Sequence, residues 1–196
     1  MQHVVIIGLP GAGKSSLINM LCPGANAQVS NNLETCTTRN RPYLCQLGNG
    51  QYTVHDTIGI PEGDNWMSGI PFLKRFAKPP EAMQYVRTLM NDGNLHLLVF
   101  CMSGLRCRFQ KAAQSKKYLK FRAAVGSNVP VVVVVTGLED MGSARRRWWT
   151  TNAQFLRNFD GGDEYHACIT TIPGTTEYDS SCRDVQSLIS GHLGLR

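Results

Sequence analysis

The chain is predicted to fold as an α/β three-layer sandwich, with helices on both faces of a mostly parallel six-stranded sheet that carries one antiparallel edge strand. Three observations predict it. Short β-branched or apolar runs alternate with helical stretches along the chain. The run Val131 to Val135 is continuously apolar rather than alternating, as expected of a parallel strand in mid-sheet covered on both faces. The segments flanking Gly48-Asn49-Gly50 are joined by a turn sequence suited to positive φ, which makes an antiparallel hairpin at the sheet edge.

Taken in order, strands are expected at His3 to Ile7, Tyr43 to Leu47, Tyr52 to Asp56, Leu95 to Cys101, Pro130 to Thr136 and Ala167 to Thr170. Helices are expected at Lys14 to Leu21, Pro80 to Met90, Phe109 to Val125, Ser143 to Phe159 and Thr176 to Leu193. In the fourth helix Trp148, Thr151/Asn152, Phe155 and Phe159 recur at helical spacing, so Trp148 reads as core packing. The stretches 25–41 and 58–80, rich in Asn, Gly, Pro and Thr, lack sustained periodicity and read as mobile loops.

A length of 196 residues suits one domain over 1–196, and 42% hydrophobic with 17% charged residues describes a globular chain. The longest apolar runs, Leu95 to Met102 and Val129 to Val135, are far shorter than the ~20 residues of a spanning helix. No integral membrane segment and no carboxy-terminal prenylation box are expected, and a soluble, cytoplasmic protein is. The seven cysteines (Cys22, Cys36, Cys45, Cys101, Cys107, Cys168, Cys182) show neither CxxC pairing nor metal spacing, and read as reduced thiols. The net charge of +6 comes partly from Arg106/Arg108/Lys111, Lys116/Lys117/Lys120 and Arg145/Arg146/Arg147. Without a nucleic-acid module signature these clusters read as solvated helix faces, and no nucleic-acid partner is expected.

Gly8-x-x-x-x-Gly13-Lys14-Ser15 is a phosphate-loop pattern in the right context, since an apolar strand enters it and a helical segment leaves it. Backbone N–H groups of Gly11, Ala12 and Gly13 can turn inward on phosphate oxygens, and the first helical turn adds its positive dipole end. Lys14 should reach the β- and γ-phosphates, the Ser15 hydroxyl should ligate Mg²⁺, and Ser16 should touch the α-phosphate. Pro10 removes one donor and stiffens the cradle on its γ-phosphate side. Asp56-Thr57-Ile58-Gly59 then ends the next strand on the same sheet edge. There an acid holds Mg²⁺ through water and the Gly59 N–H meets the γ-phosphate. His55, pointing to the opposite face from Asp56, reads as structural.

With Thr35-Cys36-Thr37-Thr38 and Thr136-Gly137-Leu138-Glu139, these segments resemble the successive motifs of a P-loop GTPase G domain. Within that superfamily the chain looks like the septin, immunity-associated and chloroplast-import-receptor branch, and especially small fungal G-domain proteins. The resemblance implies GTP/GDP as ligand with Mg²⁺, and Thr37 (alternatively Thr38) as the loop threonine on the metal and γ-phosphate. It implies Thr136, Gly137 and Glu139 around the base, with Asp140 as substitute acid and Thr171-Ile172-Pro173-Gly174 as the later base loop. The lysine such proteins place on the base is absent here, and Glu139 stands for Asp. Lys14, Thr37, Gly59 and Arg39 are the candidate catalytic residues, with Arg106 a second candidate arginine. Ile60 stands where Ras-like enzymes carry a water-orienting glutamine, which implies slow hydrolysis, and the branch implies a nucleotide-dependent homodimer. Two other functions fit the cradle: an ATP-dependent small-molecule kinase, and a nucleotide-binding scaffold without turnover.

Overall fold

The computed structural model describes residues 1–27, 40–47, 50–60, 80–156, 159 and 165–194. Six strands form one sheet: β1 (Gln2–Gly8), β2 (Arg41–Leu47), β3 (Gly50–Asp56), β4 (Leu97–Ser103), β5 (Val131–Thr136) and β6 (His166–Cys168). Their order across the sheet is β2-β3-β1-β4-β5-β6. Only the β2–β3 pair is antiparallel, from Arg41 opposite Asp56 to Leu47 opposite Gly50, so the edge hairpin and the mixed sheet are as expected. Residues 48 and 49 of its turn lie outside the described residues. β5 is buried at every position and parallel to both neighbours, although only β6 separates it from the sheet edge.

Among the described residues, five α-helices accompany the strands: α1 (Lys14–Leu21), α2 (Glu81–Asn91), α3 (Gly104–Val125), α4 (Trp148–Thr151) and α5 (Tyr178–Leu193). Alternation along β1, β4 and β5 divides the apolar side chains between two cores. Val5, Ile7, Leu98, Phe100, Val133 and Val135 face the layer holding α2 and α3, with Met83, Val86, Tyr118 and Phe121. Val4, Ile6, Val99, Cys101, Val132 and Val134 face α1 and α5, with Leu17, Ile18, Val185 and Ile189. Helices on both faces explain why the central strands read as unbroken apolar runs.

Three sequence expectations are corrected. The helix expected over Ser143 to Phe159 is instead a 3₁₀ segment at Glu139–Arg147, the single-turn α4, and a 3₁₀ turn at Ala153–Phe155. The backbone leaves helical geometry at Asn152 (φ −105°, ψ 9°) and again at Leu156 (φ −105°, ψ 10°), so the expected helix is broken inside its own span. Trp148 and Phe159 are nonetheless buried as their spacing implied. Second, α3 begins at Gly104, ahead of the expected Phe109. Third, Cys22 and Cys45 are not reduced thiols but a disulfide with Cα atoms 4.9 Å apart. The β2–β3 register turns Cys45 inward against the end of α1, where Cys22 caps the helix.

On the α2 side of β3, the face opposite Asp56, His55 is buried and structural. Its Nε2 lies 2.9 Å from His3 Nδ1 and its Nδ1 2.7 Å from the Tyr85 hydroxyl. Burial, reinforced by His3, lowers the His55 pKa to about 4. Burial, then His96 and the amino terminus, lowers that of His3. Both rings are therefore neutral at pH 7.

Candidate functional site

β1 runs straight into the cradle. Gly8 passes so close to the Cys101 carbonyl of β4 that a Cβ could not fit, which is why this loop position takes glycine. Gly11 and Gly13 hold left-handed φ of 68° and 78°, and Gly13 caps α1. The eight residues of α1 thus point their N-terminal amides at the loop.

The loop is suspended from the neighbouring strands through one atom. The Ala12 carbonyl accepts the Thr136 hydroxyl of β5 at 2.9 Å and the Cys101 thiol of β4 at 2.7 Å. Burial holds the Cys101 pKa up at about 12, so it donates as a thiol. Sequence reasoning missed Cys101; its signal was the parallel register that sets it opposite Gly8. A side chain at Gly13 would strike the Thr136 hydroxyl at 2.8 Å, so the loop and the 136–139 segment meet in close contact.

On the phosphate side, Lys14 is buried and its Nζ bonds to the carbonyls of Gly8 (3.4 Å) and Leu9 (3.2 Å). The Ser15 hydroxyl donates to Asp56 Oδ2 at 3.1 Å. A hydroxyl and a carboxylate facing each other here are hard oxygen donors of the type Mg²⁺ takes. The residues present therefore fit that cation. Gly59 packs on the cradle: a Cβ there would lie 3.0 Å from the N and Cα of Pro10 and 3.2 Å from Lys14 Nζ. Ile60 N–H donates to the Gly8 carbonyl at 3.1 Å, and Thr57 Oγ1 donates to the Ile6 carbonyl at 2.7 Å. The Asp56-to-Ile60 segment is thereby stitched to β1.

On the other side, Thr136-Gly137-Leu138-Glu139 leaves β5 with Leu138 buried and Glu139 partly exposed. Glu139 Oε1 accepts the Thr171 N–H at 3.2 Å, which joins the 136–139 segment to the loop after β6. Arg145, counted from sequence among solvated charges, is instead fully buried. Its Nη1 donates to the Cys168 carbonyl (2.6 Å) and Asp184 Oδ2 (2.9 Å), and its Nη2 to Ser180 Oγ (2.6 Å). Ser181 Oγ accepts the Thr170 N–H at 3.1 Å. Arg145 and Ser181 together tie the loop after β6 to α5 and to the 3₁₀ segment. Of the other expected site residues, Ser16 follows Ser15 on α1 and Asp140 is exposed beside Glu139. Thr35, Thr37, Thr38 and Arg39 lie outside the described residues, as does the side chain of Arg106.

A family model described as 50S ribosome-binding GTPase matches residues 3–137, from β1 through the cradle and Asp56 to Gly137. The chain belongs to this GTPase family. It is 40% identical over 81 residues to the tRNA modification GTPase MnmE of Brucella suis, an alignment covering 41% of this chain and 18% of that protein. Its fold matches that of Era in complex with MgGDPNP and a segment of 16S ribosomal RNA, at TM-score 0.66 and 18% identity, over 95% of this chain and 56% of Era. It also matches a "probable GTP-binding protein engB" at TM-score 0.59 and 16% identity, over 96% of this chain and 99% of that one. The chain thus spans less than a fifth of MnmE and just over half of Era. Among its described residues no helix is long and apolar enough to cross a membrane.

Proposed function

We propose that the chain is a single-domain guanine-nucleotide switch that binds GTP and GDP with Mg²⁺, hydrolyses GTP slowly, and couples its nucleotide state to homodimerisation. The observation that carries this is the convergence of Lys14, Ser15, Asp56 and Gly59 on one side of the loop, with Thr136 bonded to the loop on the other. The amides of Gly11, Ala12 and Gly13 and the end of α1 hold the phosphates. Lys14 exchanges two neutral carbonyl partners for phosphate oxygens, a stronger charge-assisted contact. Ser15 and Asp56 would hold Mg²⁺, which neutralises charge on the phosphates. Ser16 contacts the α-phosphate, and Gly59, without a side chain, brings its N–H to the γ-phosphate.

Turnover is slow because the residue after Gly59 cannot orient water: Ile60 is apolar and fully buried in the α2 and α3 core. Thr37 completes the metal and γ-phosphate shell, and Arg39 supplies charge in cis or across the dimer. Glu139 reads the guanine edge. The homodimer follows from the finer resemblance to the septin and immunity-associated branch; the relatives reported above are of the MnmE, Era and engB kind. Phosphate release from GTP by purified protein with Mg²⁺, abolished in Lys14→Ala, tests the chemistry; release undiminished in that variant would refute it. A thermal-shift comparison of GTP with ATP separates this reading from a kinase. Light scattering with GDP against a non-hydrolysable GTP analogue should show two masses, and one mass in both states would remove the dimer.

A further inference from the structure

Gly137 stands where a lysine would cover the nucleotide base, and the backbone there holds any side chain under strain. Its φ is +73°, and an added Cβ would lie 3.3 Å from Ser103 Oγ and 3.5 Å from both Cγ and Cδ1 of Leu105. The space beside Gly137 is therefore bordered at van der Waals distance by Leu105, the first side chain of α3. Gly104 makes this possible. A Cβ there would come within 2.5 Å of Leu138 Cδ2 and 3.3 Å of the Thr136 carbonyl, so only glycine lets α3 start pressed onto the 136–138 segment.

Leu105 is 63% exposed although it touches Gly137. A single exposed leucine is ordinary. This one is placed between Thr136, which is bonded to the cradle, and Glu139, which reaches the loop after β6. Two of the other large apolar side chains exposed among the described residues border the same segments: Met141 follows Glu139 by two positions, and Ile172 follows Thr171.

We propose that Leu105 is the platform on which the purine ring of the bound nucleotide stacks, in place of the absent lysine. The inference rests on the guanine-nucleotide reading above and adds a residue from outside the 136–139 segment. It makes base affinity apolar and insensitive to ring substituents, and leaves discrimination among bases to Glu139.

Calorimetry with Mg²⁺ tests it, using GDP, inosine diphosphate and inorganic tripolyphosphate on the wild type, Leu105→Ala and Leu105→Phe. Leu105→Ala should weaken both nucleotides by the same factor, about five- to tenfold, as expected for loss of one stacking partner. Tripolyphosphate binding and the ligand-free melting temperature should stay as in the wild type, and Leu105→Phe should restore nucleotide affinity. GDP affinity unchanged in Leu105→Ala overturns this inference while leaving the switch reading intact. Equal losses for tripolyphosphate and GDP also overturn it, since the leucine would then be supporting the cradle. A wild type that binds neither nucleotide overturns both readings at once.

Discussion

The two sides of the proposed nucleotide site are built differently. The phosphate side is made of backbone at short range: left-handed glycines, a helix end, and Gly59 against Pro10. The base side is made of side chains from distant parts of the chain, with Glu139 on Thr171 and Arg145 bridging the 3₁₀ segment to β6 and α5. Backbone geometry tolerates few residue types, so the phosphate side is spelled as a motif. Side-chain networks can be rebuilt from many residues, and the base side departs from the usual spelling.

Arg145→Met leaves the acids of Glu177 and Asp184 and the Cys168 carbonyl without their buried cation, and should destabilise the fold by about 3–5 kcal/mol in urea denaturation. An unchanged midpoint would mean that the arginine is not the base-side keystone. Reducing Cys22–Cys45, which spans 23 residues, should cost about 3 kcal/mol, read as a lower melting temperature in dithiothreitol and no shift in a Cys45→Ala variant. Lys14→Ala should weaken GDP about a hundredfold, roughly 2.7 kcal/mol, in line with loss of a buried charge-assisted contact. Glu139→Ala should spare phosphate affinity and lower the preference for GTP over ATP about tenfold, as loss of one charged hydrogen-bond acceptor does.

The smallest effect is one of pH. The lowered pKa values of His3 and His55 mean that folding favours the neutral rings. Their stabilisation is complete above the ordinary histidine value near ~6.5 and is lost as pH falls toward about 4, where His55 takes up its proton. Melting temperatures between pH 7 and 4 should decline by an amount worth about 1 kcal/mol, and flatten in His55→Gln. A flat wild-type profile would contradict neutral burial of the pair.

Sequence reading reached furthest where local rules govern. The α1 limits followed from Gly13 and the apolar spacing of Leu17, Ile18 and Leu21, and the strands from their apolar runs. The region 143–159 was misjudged because its aromatic spacing, real as packing, is compatible with tight turns as well as with a helix, and the backbone leaves helical geometry at Asn152 and Leu156. The burial of Arg145 could not be seen, since its partners at 168, 177, 180 and 184 are brought to it by the β5–β6 pairing and by α5. The Cys22–Cys45 bond depended likewise on which face of β2 the register turned inward. Leu105 lay hidden because α3 starts at Gly104, a residue of low helix propensity, for the sake of a close approach.

The Ala12 carbonyl, shared by Cys101 and Thr136, makes the two halves of the site answer to a single peg. Tilt that peptide plane and the amides beside it swing away from the triphosphate while β5 slackens under the purine. Thr136→Val, which keeps the shape and deletes the hydroxyl, would then show up as one loosened joint felt at both ends of the nucleotide.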